Sequence, residues 1–105
     1  MNMYQDRHPD ELATLAELIL NERVDLLEGC REMARLIIVH DLVASDDYDL
    51  FVLIESETDG FPGPTQVGLW NEAALAPRRR HVENYLISLK PEIMASCREI
   101  IAARK

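Results

Sequence analysis

The chain has 105 residues, 48% of them hydrophobic, with 5 Pro, 4 Gly and a net charge of −8. That length suits one domain, residues 1–105, around a single core, and the apolar content argues against a disordered chain. An acidic protein repels phosphate backbones, which disfavours nucleic acid as a partner, and no apolar run of about 18 residues exists to span a membrane.

Two cysteines, Cys30 and Cys97, are too few for a disulfide scaffold; each sits in a helical apolar register, as expected of buried thiols in a reducing cytoplasm. The start, Met1-Asn2-Met3-Tyr4-Gln5-Asp6, lacks a basic stretch followed by an apolar one, so a cytoplasmic location is expected. The charge is uneven. Residues 1–60 carry 15 Asp and Glu against 4 Arg, a net −11, whereas residues 61–105 carry 4 Glu against 7 Lys and Arg, a net +3.

Pro9 fits a first helical turn, followed by Asp10 and Glu11 at the positive end of the helix dipole. Leu12, Leu15, Ala16 and Ile19 recur at helical spacing, so residues 9–21 are predicted as an amphipathic helix that Asn21-Glu22-Arg23 ends. A second helix is predicted from Val24 to Val43 on the stripe Leu26, Leu27, Cys30, Met33, Ala34, Ile37 and Ile38. Its Leu36-Ile37-Ile38-Val39 segment is apolar all round, which implies central burial or an oligomer contact. Gly29 inside it implies close backbone approach by a neighbour.

Ser45-Asp46-Asp47 offers capping oxygens for a third element, Tyr48 to Glu57. Leu50-Phe51-Val52-Leu53-Ile54 suits a buried strand or a buried helix. Helix is preferred because no second strand-like segment exists to pair with it. Residues 58–66 form a loop, and Thr65 caps a short helix through Leu69, Trp70, Ala73 and Ala74 that ends before Pro77. From Arg78, the spacing of Val82, Leu86, Leu89, Ile93, Cys97, Ile100 and Ile101 predicts one long helix over 78–103, kinked near Pro91. The segments Gly29-Cys30-Arg31-Glu32-Met33 and Ser96-Cys97-Arg98-Glu99-Ile100 echo each other, as if two helices present similar faces to one core. The expected fold is an all-α bundle of four to five helices.

Side-chain chemistry concentrates at Glu55-x-Glu57-x-Asp59-Gly60, which matches the opening of a calcium loop. Position twelve of that loop is Gln66, where a bidentate Glu is required, so calcium binding by Glu55, Glu57 and Asp59 in the 55–66 loop is the alternative reading and a solvated acidic turn the simpler one. None of His8, His40 and His81 lies three residues after a Glu or Asp, which leaves no histidine metal motif. The cysteines read as core, and neither a nucleophile elbow nor a phosphate-binding glycine loop occurs. No enzymatic activity, catalytic residue or cofactor is expected. Arg78-Arg79-Arg80-His81 opens the predicted last helix, where it can pair with Glu55, Glu57 or Asp59, and Trp70 is expected to anchor the loop onto the core, with an interface hot spot as the alternative.

Glu55-Ser56-Glu57-Thr58-Asp59 with Pro62, and Trp70 eight residues on, resembles a group of small uncharacterised bacterial all-helical proteins with a Ser-Glu-Thr-Asp-x-x-Pro motif followed by a Trp. Glu28-Gly29-Cys30-Arg31 is similar to the same group, so the resemblance covers residues 26–75. This chain has Gly60-Phe61 where His-Leu is expected before the proline. The resemblance implies a helical fold and a bacterial origin. Charge and size lead to the functional expectation: a cytoplasmic binding protein that holds a basic protein partner through Glu55, Glu57, Asp59 and Trp70, in the manner of a toxin-neutralising immunity protein. A homodimer through Leu36, Val39 and Val43 is the structural alternative.

Overall fold

In the computed structural model, which describes residues 3–42, 46–63 and 66–104, apolar periodicity is realised as four α-helices. These are α1 (Met3–Leu20), α2 (Leu26–Val39), α3 (Asp46–Glu57) and α4 (Glu72–Arg104), with a single 3₁₀ turn at Val67–Leu69 and no strand among the described residues. α1 packs on α4 and α2, and α3 on α2 and α4, so each helix touches two others in cyclic order. Leu12, Ala16 and Ile19 of α1 meet Cys30, Met33 and Ala34 of α2, Phe51 and Ile54 of α3, and Ile93 and Cys97 of α4 in one core. The protein is an all-α bundle. Among the described residues no helix is long and apolar enough to cross a membrane.

α1 buries the expected stripe but begins at Met3, so Pro9 lies inside the helix and not in its first turn. Its end explains why Asn21-Glu22-Arg23 breaks the pattern. Arg23 N–H donates to Leu18 O (2.9 Å) and Glu22 N–H to Ile19 O (3.1 Å), with Glu22 at φ 54°. α2 ends in the same way: Leu42 N–H reaches Ile37 O and Asp41 N–H reaches Ile38 O, both at 3.1 Å, with Asp41 at φ 51°. Both are Schellman closures carried by a residue other than glycine. This closure stops α2 at Val39, four residues short of the expected Val43, which lies outside the described residues.

At its other end α2 starts one residue after Asp25, whose carboxylate accepts the Glu28 N–H at 3.1 Å. Gly29 is needed where α1 crosses: a Cβ there would sit 2.8 Å from Ile19 Cγ1 and 3.0 Å from Val24 Cγ2. The close neighbour is therefore a pair of side chains, not a backbone.

α3 is a helix, as preferred over a strand, and Phe51 and Ile54 are wholly buried. Asp46 and Asp47 belong to the helix itself, and Ser45 lies outside the described residues.

The largest departure is at the start of α4. The expected short helix through Leu69, Trp70, Ala73 and Ala74 is not found among the described residues: Trp70 is extended and α4 begins at Glu72, while the expected cap Thr65 lies outside the described residues. Asn71 is the cap, its Oδ1 accepting the Ala73 N–H at 2.8 Å. α4 then continues through both Pro77 and Pro91 for 33 residues, about 50 Å at 1.5 Å per residue. The molecule's long axis is 53 Å. Pro77 does not end the helix as expected: a proline removes one backbone donor, and α4 runs on with Leu75 and Val82 buried on either side of it. The echoed segments do present equivalent faces: Gly29, Cys30 and Met33 are buried on α2, and Ser96, Cys97 and Ile100 on α4.

Candidate functional site

The acidic stretch is built on the C-terminal end of α3. Glu55 and Glu57 are helical, two residues apart, so they point about 200° away from each other. Thr58 closes the helix: its N–H (3.0 Å) and its Oγ1 (2.7 Å) both donate to Ile54 O, and its side chain is buried. Phe61 N–H then turns back to Thr58 O at 3.0 Å, and Pro62 is buried behind it.

What holds this corner against the bundle is Arg31 of α2. Its Nη2 donates to Thr58 O and, at 2.9 Å, to Phe61 O. A guanidinium thus sits at the negative end of the α3 dipole, bonded to the Thr58 carbonyl just past the helix and to the Phe61 carbonyl of the turn that follows. Sequence reasoning assigned Arg31 no partner and missed this role. The available signal was its position at the edge of the core stripe, four residues after Leu27 and three before Ala34, where a charge needs a buried partner.

The four predicted partner-binding residues fall on two sides of α3. Glu55 looks into a groove of about 390 Å³ between α2 and α3, together with Glu28, Arg31, Glu32 and Arg35. Glu57 borders a cleft of about 280 Å³ toward α4, with Thr58, Gly60, Phe61, Arg78 and His81. Asp59 is exposed in the turn between them. Trp70 is not a core anchor: it is 37% exposed and stacks under the Arg78 guanidinium, 5.2 Å from the ring centroid. Glu57, Arg78 and Trp70 therefore mark one corner, and Glu55 belongs to another face.

This divergence bears on calcium. Glu55 and Glu57 do not converge, no glycine among the described residues has the positive φ that would mark a left-handed turn, and no three His, Cys, Asp or Glu side chains gather among the described residues. The loop geometry is that of a capped helix end.

The basic cluster also differs from expectation. It lies in the second and third turns of α4, not at its start. Arg79 Nη1 bonds Glu72 Oε1 at 2.8 Å and Arg78 stacks on Trp70, so neither pairs with Glu55, Glu57 or Asp59. His40 ends α2 and places Nε2 3.1 Å from Glu11 Oε2 on α1. Burial pushes the Cys30 thiol up to about 12 and the Cys97 thiol to about 11, so both stay protonated and unreactive at neutral pH.

Not all apolar side chains reach the core. Of the all-apolar segment of α2, Ile37 is buried and Leu36 half-buried, but Ile38 and Val39 are 57% and 62% exposed. Leu53 of α3 is 50% exposed. Set against known proteins, the sequence matches no family model, and no curated protein or solved structure matches it either.

Proposed function

We propose that this chain is a non-enzymatic, cytoplasmic protein-binding module that holds a basic protein partner on its acidic α3 side. The observation that carries the reading is α3 itself. It has five Asp and Glu and no basic residue, yet it leaves Leu53 half in solvent, with Asp49 and Glu57 one turn away on either side. An exposed apolar residue ringed by carboxylates suits a partner with a cationic rim and an apolar centre. Glu55, Glu57 and Asp59 supply the charge at the end of α3, and Trp70 a flat aromatic surface beside it.

The same charge and size suit a toxin-neutralising immunity protein, whose acidic face would steer it onto a basic enzyme. The two thiols, buried and held protonated, support a non-catalytic reading. The resemblance to small bacterial helical proteins rests on the Ser56–Pro62 motif, Trp70 and Glu28-Gly29-Cys30-Arg31, and is consistent with this role.

The test is affinity capture from a bacterial lysate with the wild-type chain and a Glu55/Glu57/Asp59→Ala variant as baits. A basic protein retained by the wild type, lost with the variant and released by salt supports the reading. If whatever is captured ignores both the substitutions and the salt, the acidic side is not the binding surface.

A further inference from the structure

We infer that the α2–α3 groove is the seat of a cationic amphipathic helix presented by the partner protein. This deepens the proposal above and rests on it. Along α2, Glu28, Arg31, Arg35 and Ile38 recur at three- and four-residue steps, as do Glu32, Arg35 and Val39, so they form a single stripe facing the groove, and Glu55 completes it from α3.

The cations of this stripe are already engaged. Arg31 is turned onto the Thr58 and Phe61 carbonyls, and Arg35 Nε donates to Glu32 Oε1 at 2.7 Å. The carboxylates of Glu28 and Glu55 make no hydrogen bond or ion pair with any described residue. Three carboxylates against two guanidiniums leave the groove with a net charge of −1, its Glu28 and Glu55 carboxylates open to a partner, and Ile38 and Val39 add two apolar side chains more than half exposed.

From Glu28 to Ile38 is ten residues, about 15 Å or nearly three turns of helix. The complementary occupant is a helix with apolar residues at one end of a face and Lys or Arg about ten to eleven positions away on the same face. A groove between two helices accepts a third by the same side-chain interdigitation that packs the bundle. A second copy of this chain is a poorer fit, because two molecules of net charge −8 repel.

The probe is a fluorescein-labelled, helix-favouring peptide with Leu and Arg on one face about three turns apart, compared by anisotropy with a scrambled peptide of the same composition. The patterned peptide should bind about ten times more tightly, equivalent to about 1.4 kcal/mol. Ile38→Ser should weaken it about ten-fold. Glu28→Gln with Glu55→Gln should do the same and flatten the salt dependence. Glu92→Gln, on an exposed position of α4 outside the groove, should leave binding unchanged. All these side chains are at least partly exposed, and far-UV circular dichroism verifies that each variant folds.

Equal binding of both peptides would overturn the inference, as would an Ile38→Ser variant that binds like wild type. So would a concentration-dependent dimer on gel filtration that Ile38→Ser abolishes, since a second copy would then cover the face. A basic protein captured through Glu57, Asp59 and Trp70, with the patterned peptide failing to bind, would sink the groove and leave the binding-module reading standing. Failure of both peptide and capture would sink the two together.

Discussion

Replacing Arg31 by Met keeps most of the aliphatic stem but removes the donor that ties α2 to the end of α3. Two carbonyls are affected, unequally. Thr58 O retains the Phe61 N–H at 3.0 Å, whereas Phe61 O loses its only donor among the described residues. A hydrogen bond from a charged donor contributes about 1.5–3 kcal/mol, and a cation at a helix C-terminus about 0.3–1 kcal/mol more. The site is only partly buried, so water recovers part of the loss, and the net cost should be about 2–3 kcal/mol. For a domain of this size that lowers the Tm by about 10 °C or more. Urea unfolding followed by circular dichroism and by Trp70 fluorescence measures it, with an unchanged m-value expected. Arg31→Lys should recover part of the loss, because one ammonium can serve one of the two carbonyls. A loss below about 0.5 kcal/mol for Arg31→Met, the range of an ordinary surface change, would refute the clamp.

Gly29→Ala adds a methyl 2.8 Å from Ile19 Cγ1, in the middle of a buried side chain. The overpacking should outweigh the gain of about 1 kcal/mol in helix propensity, so a net destabilisation of about 1 kcal/mol in urea is expected; a stabilised variant would show that α1 yields freely. Asp41→Gly relieves a positive φ of 51° and should stabilise by about 0.5–1 kcal/mol in thermal melts, with no change meaning that aspartate is at ease there. The buried thiols give a pH prediction. Against an unfolded value of 9.0, native Cys30 keeps its proton to about 12 and Cys97 to about 11. Between these limits the unfolded chain binds fewer protons than the native one, so stability falls as pH rises above 9, by about 1.4 kcal/mol per unit for each thiol. A Cys30→Ala/Cys97→Ala variant should lack that part of the slope between pH 9 and 11; identical slopes would contradict the burial-driven shift.

Helical periodicity is a property of neighbours in the chain, and that is why the all-α bundle was legible from residues such as Leu12, Cys30, Phe51 and Cys97 alone. Each marks a face that must be buried, whichever partner buries it. Helix ends were less legible. Glu22 and Asp41 close α1 and α2 without the glycine that usually signals such a turn, and Pro77 sits inside a helix that buries Leu75 before it and Val82 after it.

The site was the least legible part, because its geometry depends on residues far apart in sequence. Glu55 and Glu57 read as one cluster along the chain, yet the helix turns them to opposite sides, one toward α2 and the other toward α4. Arg31 reaches across 27 and 30 residues to two backbone carbonyls, an acceptor type that every residue carries and that no residue identity can announce. Composition and spacing determined what kind of object this chain becomes; only the packing of α2 against α3 decided which charges are spent within the fold and which are left to face a partner.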